Sequence, residues 1–148
     1  MGKRQQRIMN DRETTLIVVK PDAVKRGLVG QVLSRFEAKG FVIEKLRLIT
    51  MSKAQAEEFY SVHMSKPFFG ELVNFITSGP VVGAVLSGRD AIATVRRMVG
   101  ATKSWEAAAG TIRGDFALGL TDNTIHASDS TESFGKEEAA FFTARSGD

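Results

Sequence analysis

One histidine and a scatter of cations carry the chemistry open to this chain. His126 comes three residues after Asn123 and just before Ser128 and Ser130, in a stretch that reads as strand, turn and helix start. Lys20 ends an apolar run. Arg96 lies just before the segment 100–114, which holds Thr102, Lys103 and Arg113. Arginines bind phosphate oxygens in pairs and lysines bind them as point charges, so these groups around a lone imidazole suit a phosphorylated substrate. The chain has no cysteine and shows no Ser–His–Asp spacing, which leaves histidine as the leading nucleophile. Each residue also has an ordinary use. Arg96 in a last helical turn complements the helix dipole, Ser128 and Ser130 can cap a helix, and Phe68 spaced with Leu72 and Ile76 reads as a core stripe. The other histidine, His63, sits near a predicted helix end with no arranged carboxylate or cation beside it.

Composition narrows the classes. The 148 residues suffice for one domain, and 43% apolar with 25% charged is ordinary globular usage. Without cysteine there is no disulfide, thiolate metal site or Fe–S cluster, and two histidines do not make a multi-histidine site. No protein-held metal site is expected. No apolar run approaches the roughly 18 residues of a membrane span. Of the 20 basic residues, Lys3, Arg4 and Arg7 fall within residues 1–10, which hold no acid, so the rest balances at 17 of each sign. The net charge of +3 therefore sits in a basic tail over residues 1–12, attached to a neutral domain over 13–148. A cytoplasmic location is expected, with no membrane contact.

The elements follow from periodicity and punctuation. Thr14 to Val19 reads as a buried strand that stops at Lys20-Pro21, where proline suits a first helical turn. Leu28, Val29, Val32, Leu33 and Phe36 predict a helix ended by Gly40. Residues 41–49 predict an edge strand, with Val42, Leu46 and Leu48 on one face and Lys45 and Arg47 on the other. Ser52 with Gln55 forms a capping box for a helix through about Val62. Pro67 starts another helix, through Ile76, and Ser78-Gly79-Pro80 stops it. Val81 to Leu86 is apolar throughout, as a central strand should be. Ile92, Val95 and Val99 mark a helix ended by Gly100. Residues 100–114 read as a long loop, a length that tends to be functional. A short strand near 123–126 and a capping box of Asp129 with Glu132, opening a helix through about Phe142, complete the series. The expected fold is an α+β sandwich of ferredoxin-like type, a four-stranded antiparallel sheet covered by helices, with 14–19 and 81–86 central. A nucleic-acid module of this fold would need aromatics on a central strand, and neither run has one; no stable nucleic-acid complex is expected.

Together the motifs resemble the nucleoside diphosphate kinase family. Asn123-Thr124-Ile125-His126-Ala127-Ser128-Asp129 is similar to the family's N-x-x-H-G-S-D signature. Val19-Lys20-Pro21-Asp22, Arg26-Gly27-Leu28-Val29-Gly30, Lys39-Gly40-Phe41, Pro67-Phe68-Phe69, Ser78-Gly79-Pro80-Val81-Val82 and Gly110-Thr111-Ile112-Arg113-Gly114-Asp115-Phe116 follow in the family's order.

The resemblance implies a ping-pong transfer of the γ-phosphate from a nucleoside triphosphate to a nucleoside diphosphate, through a phosphohistidine on His126. It implies Mg2+ bound mainly through the nucleotide phosphates. By the same resemblance Glu137 orients the imidazole from its other nitrogen, and Lys20, Arg96, Thr102 and Arg113 bind phosphate. Tyr60 and Ser128 stand beside the transferred group, Phe68 stacks on the base, and Asn123 and Lys20 contact the ribose. A homo-oligomer is implied, a hexamer, with a tetramer as alternative because Lys103 to Ala109 lacks the family's loop prolines. Ala127 replaces the usual glycine, which a negative φ would tolerate.

Overall fold

The computed structural model describes residues 12–143. Most of the basic tail read from the sequence lies outside them. Four strands form one sheet: β1 (Glu13–Val19), β2 (Val42–Ile49), β3 (Val81–Gly88) and β4 (Ile125–Ala127). Their order is β2-β3-β1-β4, and every neighbouring pair is antiparallel. This is the ferredoxin-like arrangement, with the two most apolar runs in the centre. The helices are α1 (Pro21–Lys25), α2 (Val29–Lys39), α3 (Lys53–Phe59), α4 (Phe69–Ile76), α5 (Ala91–Val99), α6 (Ile112–Phe116) and α7 (Thr131–Phe142).

Alternation along β1 divides the core. Ile17 and Val19 join Val82, Ala84 and Leu86 under Val32 and Phe36 of α2 and Val95 and Val99 of α5. Leu16 and Val18 join Val81 and Val85 against Phe59 of α3, Val73 and Ile76 of α4, and Ala140 and Phe141 of α7. Strands buried on both faces lose the polar alternation of a half-exposed sheet, which is why these two runs are apolar throughout. Gly83 opens β3 for Phe141: a Cβ there would lie 2.8 Å from Cδ1 of that ring.

Several boundaries differ from the sequence expectations. Ser52 caps α3 by accepting from the Gln55 N–H, but the helix ends at Phe59 and a 3-10 turn covers Ser61–His63. The Gln55 amide reaches the Ala140 and Phe141 carbonyls instead of closing a capping box. The helix after Pro67 begins at Phe69, and the last strand is Ile125–Ala127. The segment 100–114 is not all loop, since a 3-10 turn at Ser104–Glu106 and the start of α6 fall within it. Ser130, not Asp129, caps α7, accepting from the Ser133 N–H.

The edge strand needs a larger correction. A bulge lies between Ile43 and Lys45. The extra residue flips the side-chain parity, so Val42, opposite Ser87, faces away from Leu46 and Leu48, which lie opposite Ala84 and Val82. Leu46 and Leu48 are 55% and 64% exposed.

Gly83→Ala should destabilise the fold by about 1–3 kcal/mol, because a rigid ring on a packed helix must move to admit the methyl. Thermal melting measures it; an unchanged midpoint would show that Phe141 is not held over the strand.

Candidate active site

β4 is only three residues long, yet it sets the centre of the site. His126 pairs with Val18 of β1, so its ring projects onto the α3–α7 face. There α7 brings Glu137, whose Oε1 lies 2.7 Å from His126 Nε2. The Ser128 hydroxyl donates to the same oxygen at 2.7 Å. A carboxylate only accepts, so this contact assigns the imidazole proton to Nε2 and leaves the Nδ1 lone pair as the free one on the ring. Phe59 meets the imidazole edge-on at 5.0 Å between centroids, and Tyr60 does so at 6.3 Å. Burial, then the Glu137 charge, raises the Tyr60 hydroxyl above its ordinary pKa, so it stays protonated.

Cations gather along the chain just before His126. Lys20 Nζ donates to Asn123 Oδ1 at 2.8 Å and to the Thr121 carbonyl at 3.4 Å. Arg113, on α6, donates to the carbonyls of Asn123, Gly100 and Ile125. Arg96, on α5, donates to the Ala127 carbonyl at 3.0 Å. Burial pushes the Lys20 ammonium down to about 8; the Arg113 charge adds to this, and Asp22 and Asp122 oppose it. Burial and then Arg96 lower Arg113 to about 10, which leaves it charged at neutral pH. Buried cations bonded to carbonyls and an amide, rather than to carboxylates, favour an incoming anion.

Aromatic rings extend from the imidazole to the surface. His63 lies 6.3 Å from Tyr60 and 5.7 Å from Phe68, centroid to centroid. Phe68 is 43% exposed, with Lys66 Nζ 5.6 Å over its ring. The structure thus joins His126, Glu137, Ser128 and Tyr60 in one cluster and Lys20, Asn123 and Arg113 in another. Arg96 bridges to the strand carrying His126. Thr102 is exposed on the segment after α5. His63 belongs with these residues, contrary to its sequence reading. Its Nδ1 is buried without a hydrogen-bond partner. The signal was its spacing, three residues after Tyr60, but the 3-10 turn that aims it there has no sequence mark. Ala127 is tolerated, since the only non-glycine residues with positive φ among those described are Asp90 and Thr124.

An imidazole with a fixed tautomer, beside unneutralised cations and a surface aromatic, is equipped to move phosphate on a nucleotide. The fold and site therefore define a phosphotransferase. The chain belongs to the nucleoside diphosphate kinase family, whose family model matches residues 13–146. It is 51% identical over 130 residues to the nucleoside diphosphate kinase of Staphylothermus marinus, covering 88% of this chain and 92% of that one. It is 52% identical over 131 residues to that of Hyperthermus butylicus, with the same coverage. Among solved structures it resembles a halophilic nucleoside diphosphate kinase from Halobacterium salinarum in complex with CDP. The TM-score is 0.86 at 44% identity, covering 90% of this chain and 89% of that one. The Aquifex aeolicus nucleoside diphosphate kinase also gives 0.86, at 47% identity, covering 89% of this chain and 96% of that one. Family membership makes the chain a nucleotide phosphotransferase. Among the described residues no helix is long and apolar enough to cross a membrane.

The Lys20 ammonium loses its proton as pH rises through about 8, so its charge is present below that pH and fades above it. Nucleoside diphosphate affinity, measured by calorimetry, should fall through this range. Lys20→Arg, which stays charged, should bind more weakly at neutral pH but lack the decline. The same decline in that variant would remove Lys20 as its source.

Proposed function

We propose that the chain transfers the γ-phosphate of a nucleoside triphosphate to a nucleoside diphosphate in two steps through a phosphohistidine on His126. The carrying observation is the 2.7 Å contact between His126 Nε2 and Glu137. In the first step the Nδ1 lone pair attacks the γ-phosphorus. An N–P bond forms, the bond to the bridging oxygen breaks, and the nucleoside diphosphate leaves with that oxygen. The Nε2 proton stays on the ring, and Glu137 balances the charge of the phosphoimidazole. In the second step a terminal phosphate oxygen of another nucleoside diphosphate attacks phosphorus and the N–P bond breaks. Lys20, Arg96, Thr102 and Arg113 neutralise and orient the phosphates, whose transfer depends mainly on positioning and electrostatics. Tyr60 and Ser128 flank the transferred group. Asn123, with Lys20, takes the ribose, and Phe68 takes the base.

Mg2+ fits this site as a passenger on the nucleotide. Glu137 is committed to His126 and Ser128, and side-chain bonds from Ser133 and Ser130 hold the Asp129 carboxyl below its usual range. Among the described residues no group of three His, Asp or Glu could hold the ion; the nucleotide's phosphate oxygens would supply its ligands. When bound it supplies charge neutralisation across the phosphates. A homo-oligomer, hexameric with a tetramer as alternative, is part of the same proposal. It is supported by the uncovered Leu46 and Leu48 on the edge strand and by Trp105, 56% exposed. A cytoplasmic location completes it, resting on the nucleotide substrates.

Incubation with γ-labelled ATP should give an acid-labile phosphoenzyme that a diphosphate discharges. His126→Ala should abolish both label and exchange; label retained in that variant, or mapped to Ser128 or Ser130, would overturn the mechanism. Phe68→Ala should weaken purine and pyrimidine nucleotides alike, by roughly 1–3 kcal/mol. A loss confined to one base would refute stacking as the mode of recognition. Light scattering that gives a monomer at micromolar concentration would refute the assembly.

A further inference from the structure

Thr124 adopts φ +76°, where a β-branched side chain is a marked outlier that surrounding contacts must hold. Both of its backbone groups are held. Its N–H donates to Asp22 Oδ2 at 3.0 Å, and its carbonyl accepts the Lys20 N–H at 2.9 Å. On either side stand the acceptors that arrange the cations. Asn123 Oδ1 takes the Lys20 ammonium, while the Asn123 and Ile125 carbonyls take Arg113. His126 follows directly.

Asp22 is an unexpected choice for a bond that needs one acceptor. Asparagine would supply that acceptor without burying a charge. Instead a carboxylate is used, and its Oδ1 is buried without a hydrogen-bond partner. Burial raises the Asp22 pKa, against the opposing pull of the Thr124 N–H, the Lys20 charge and the backbone N–H groups of Asp22 and Ala23. A half-buried carboxylate in the first turn of α1 thus supplies an acceptor for Thr124 together with negative charge that favours the Lys20 proton. We propose that Asp22 is a positioning residue for phosphate transfer: its carboxylate clamps the Thr124 turn, sets Asn123 and Arg113 in register before His126, and holds Lys20 in its charged form. The inference rests on the function proposed above for the site. The groups that bear on Lys20 are Asp22, Asp122 and Arg113, and the two carboxylates favour its proton.

Two variants separate the clamp from the charge, and a third tests the strain. Asp22→Asn keeps an acceptor for Thr124 but removes the charge. It should preserve protection of the Thr124 amide from hydrogen exchange and move the alkaline limb of kcat/KM to lower pH. Nitrogen NMR of the Lys20 ammonium should titrate in the same direction. Asp22→Ala should lose the amide protection and lower kcat/KM about tenfold, the scale of a lost bond to a charged group. Glycine accepts positive φ at no cost, so Asp22→Ala combined with Thr124→Gly should regain most of that activity while the alkaline limb stays displaced. An unmoved limb and Lys20 titration in Asp22→Asn would overturn the charge role. Unchanged amide protection and kcat/KM in a folded Asp22→Ala would overturn the clamp. If the parent chain forms no phosphohistidine while amide protection and Lys20 titration respond as stated, the proposed mechanism fails and the Asp22 arrangement stands.

Discussion

Buried positive charge with no ion-pair partner among the described residues is the constraint around which this molecule is organised. Arg113 spends its bonds on three backbone carbonyls, and Lys20 on a carbonyl and an amide oxygen. Dipoles satisfy their hydrogens without cancelling their charge. Burial then works against both cations, a cost that the packing of two core layers must offset. An anion drawn into the site would relieve that cost.

Carbonyls can serve in this way because the chain is irregular where regular structure would have consumed them. β4 contributes only three residues to the sheet, and the turn before it bends through a left-handed threonine. A longer strand would have paired the Asn123 carbonyl in a ladder. The short strand still anchors His126, since pairing with Val18 fixes which face its ring occupies. Rigidity at His126 and carbonyls within reach of Arg113 are found together at this short strand.

Much of this was legible in the sequence, for physical reasons that differ by region. Central strands announce themselves because burial on both faces demands unbroken apolar runs, as in 14–19 and 81–86. The residues proposed for the site, His63 and Asp22 apart, could be named from motif order. The bulge in β2 was not, because alternation continues through it and only pairing with β3 reveals the change of parity. α6 escaped notice because five residues are too few to show a period. His63 and Asp22 needed the backbone itself: one depends on a 3-10 turn, the other on the sign of a single φ angle. Local pattern encodes what is buried, while the aim of a side chain within a turn is encoded by contacts distant in sequence.

The tie from Gln55 to the Ala140 and Phe141 carbonyls has a consequence for the order in which the site comes into being. Those carbonyls end the helix that carries Glu137, and their partner lies 85 and 86 residues earlier in the chain. During synthesis the cations and His126 emerge before that helix does. Until it docks over Gly83 and is fastened at Gln55, the imidazole has neither its acceptor nor its fixed tautomer. Closing so long a loop is slow and cooperative. The contact between His126 and Glu137 therefore arrives in one event with the final packing of the core.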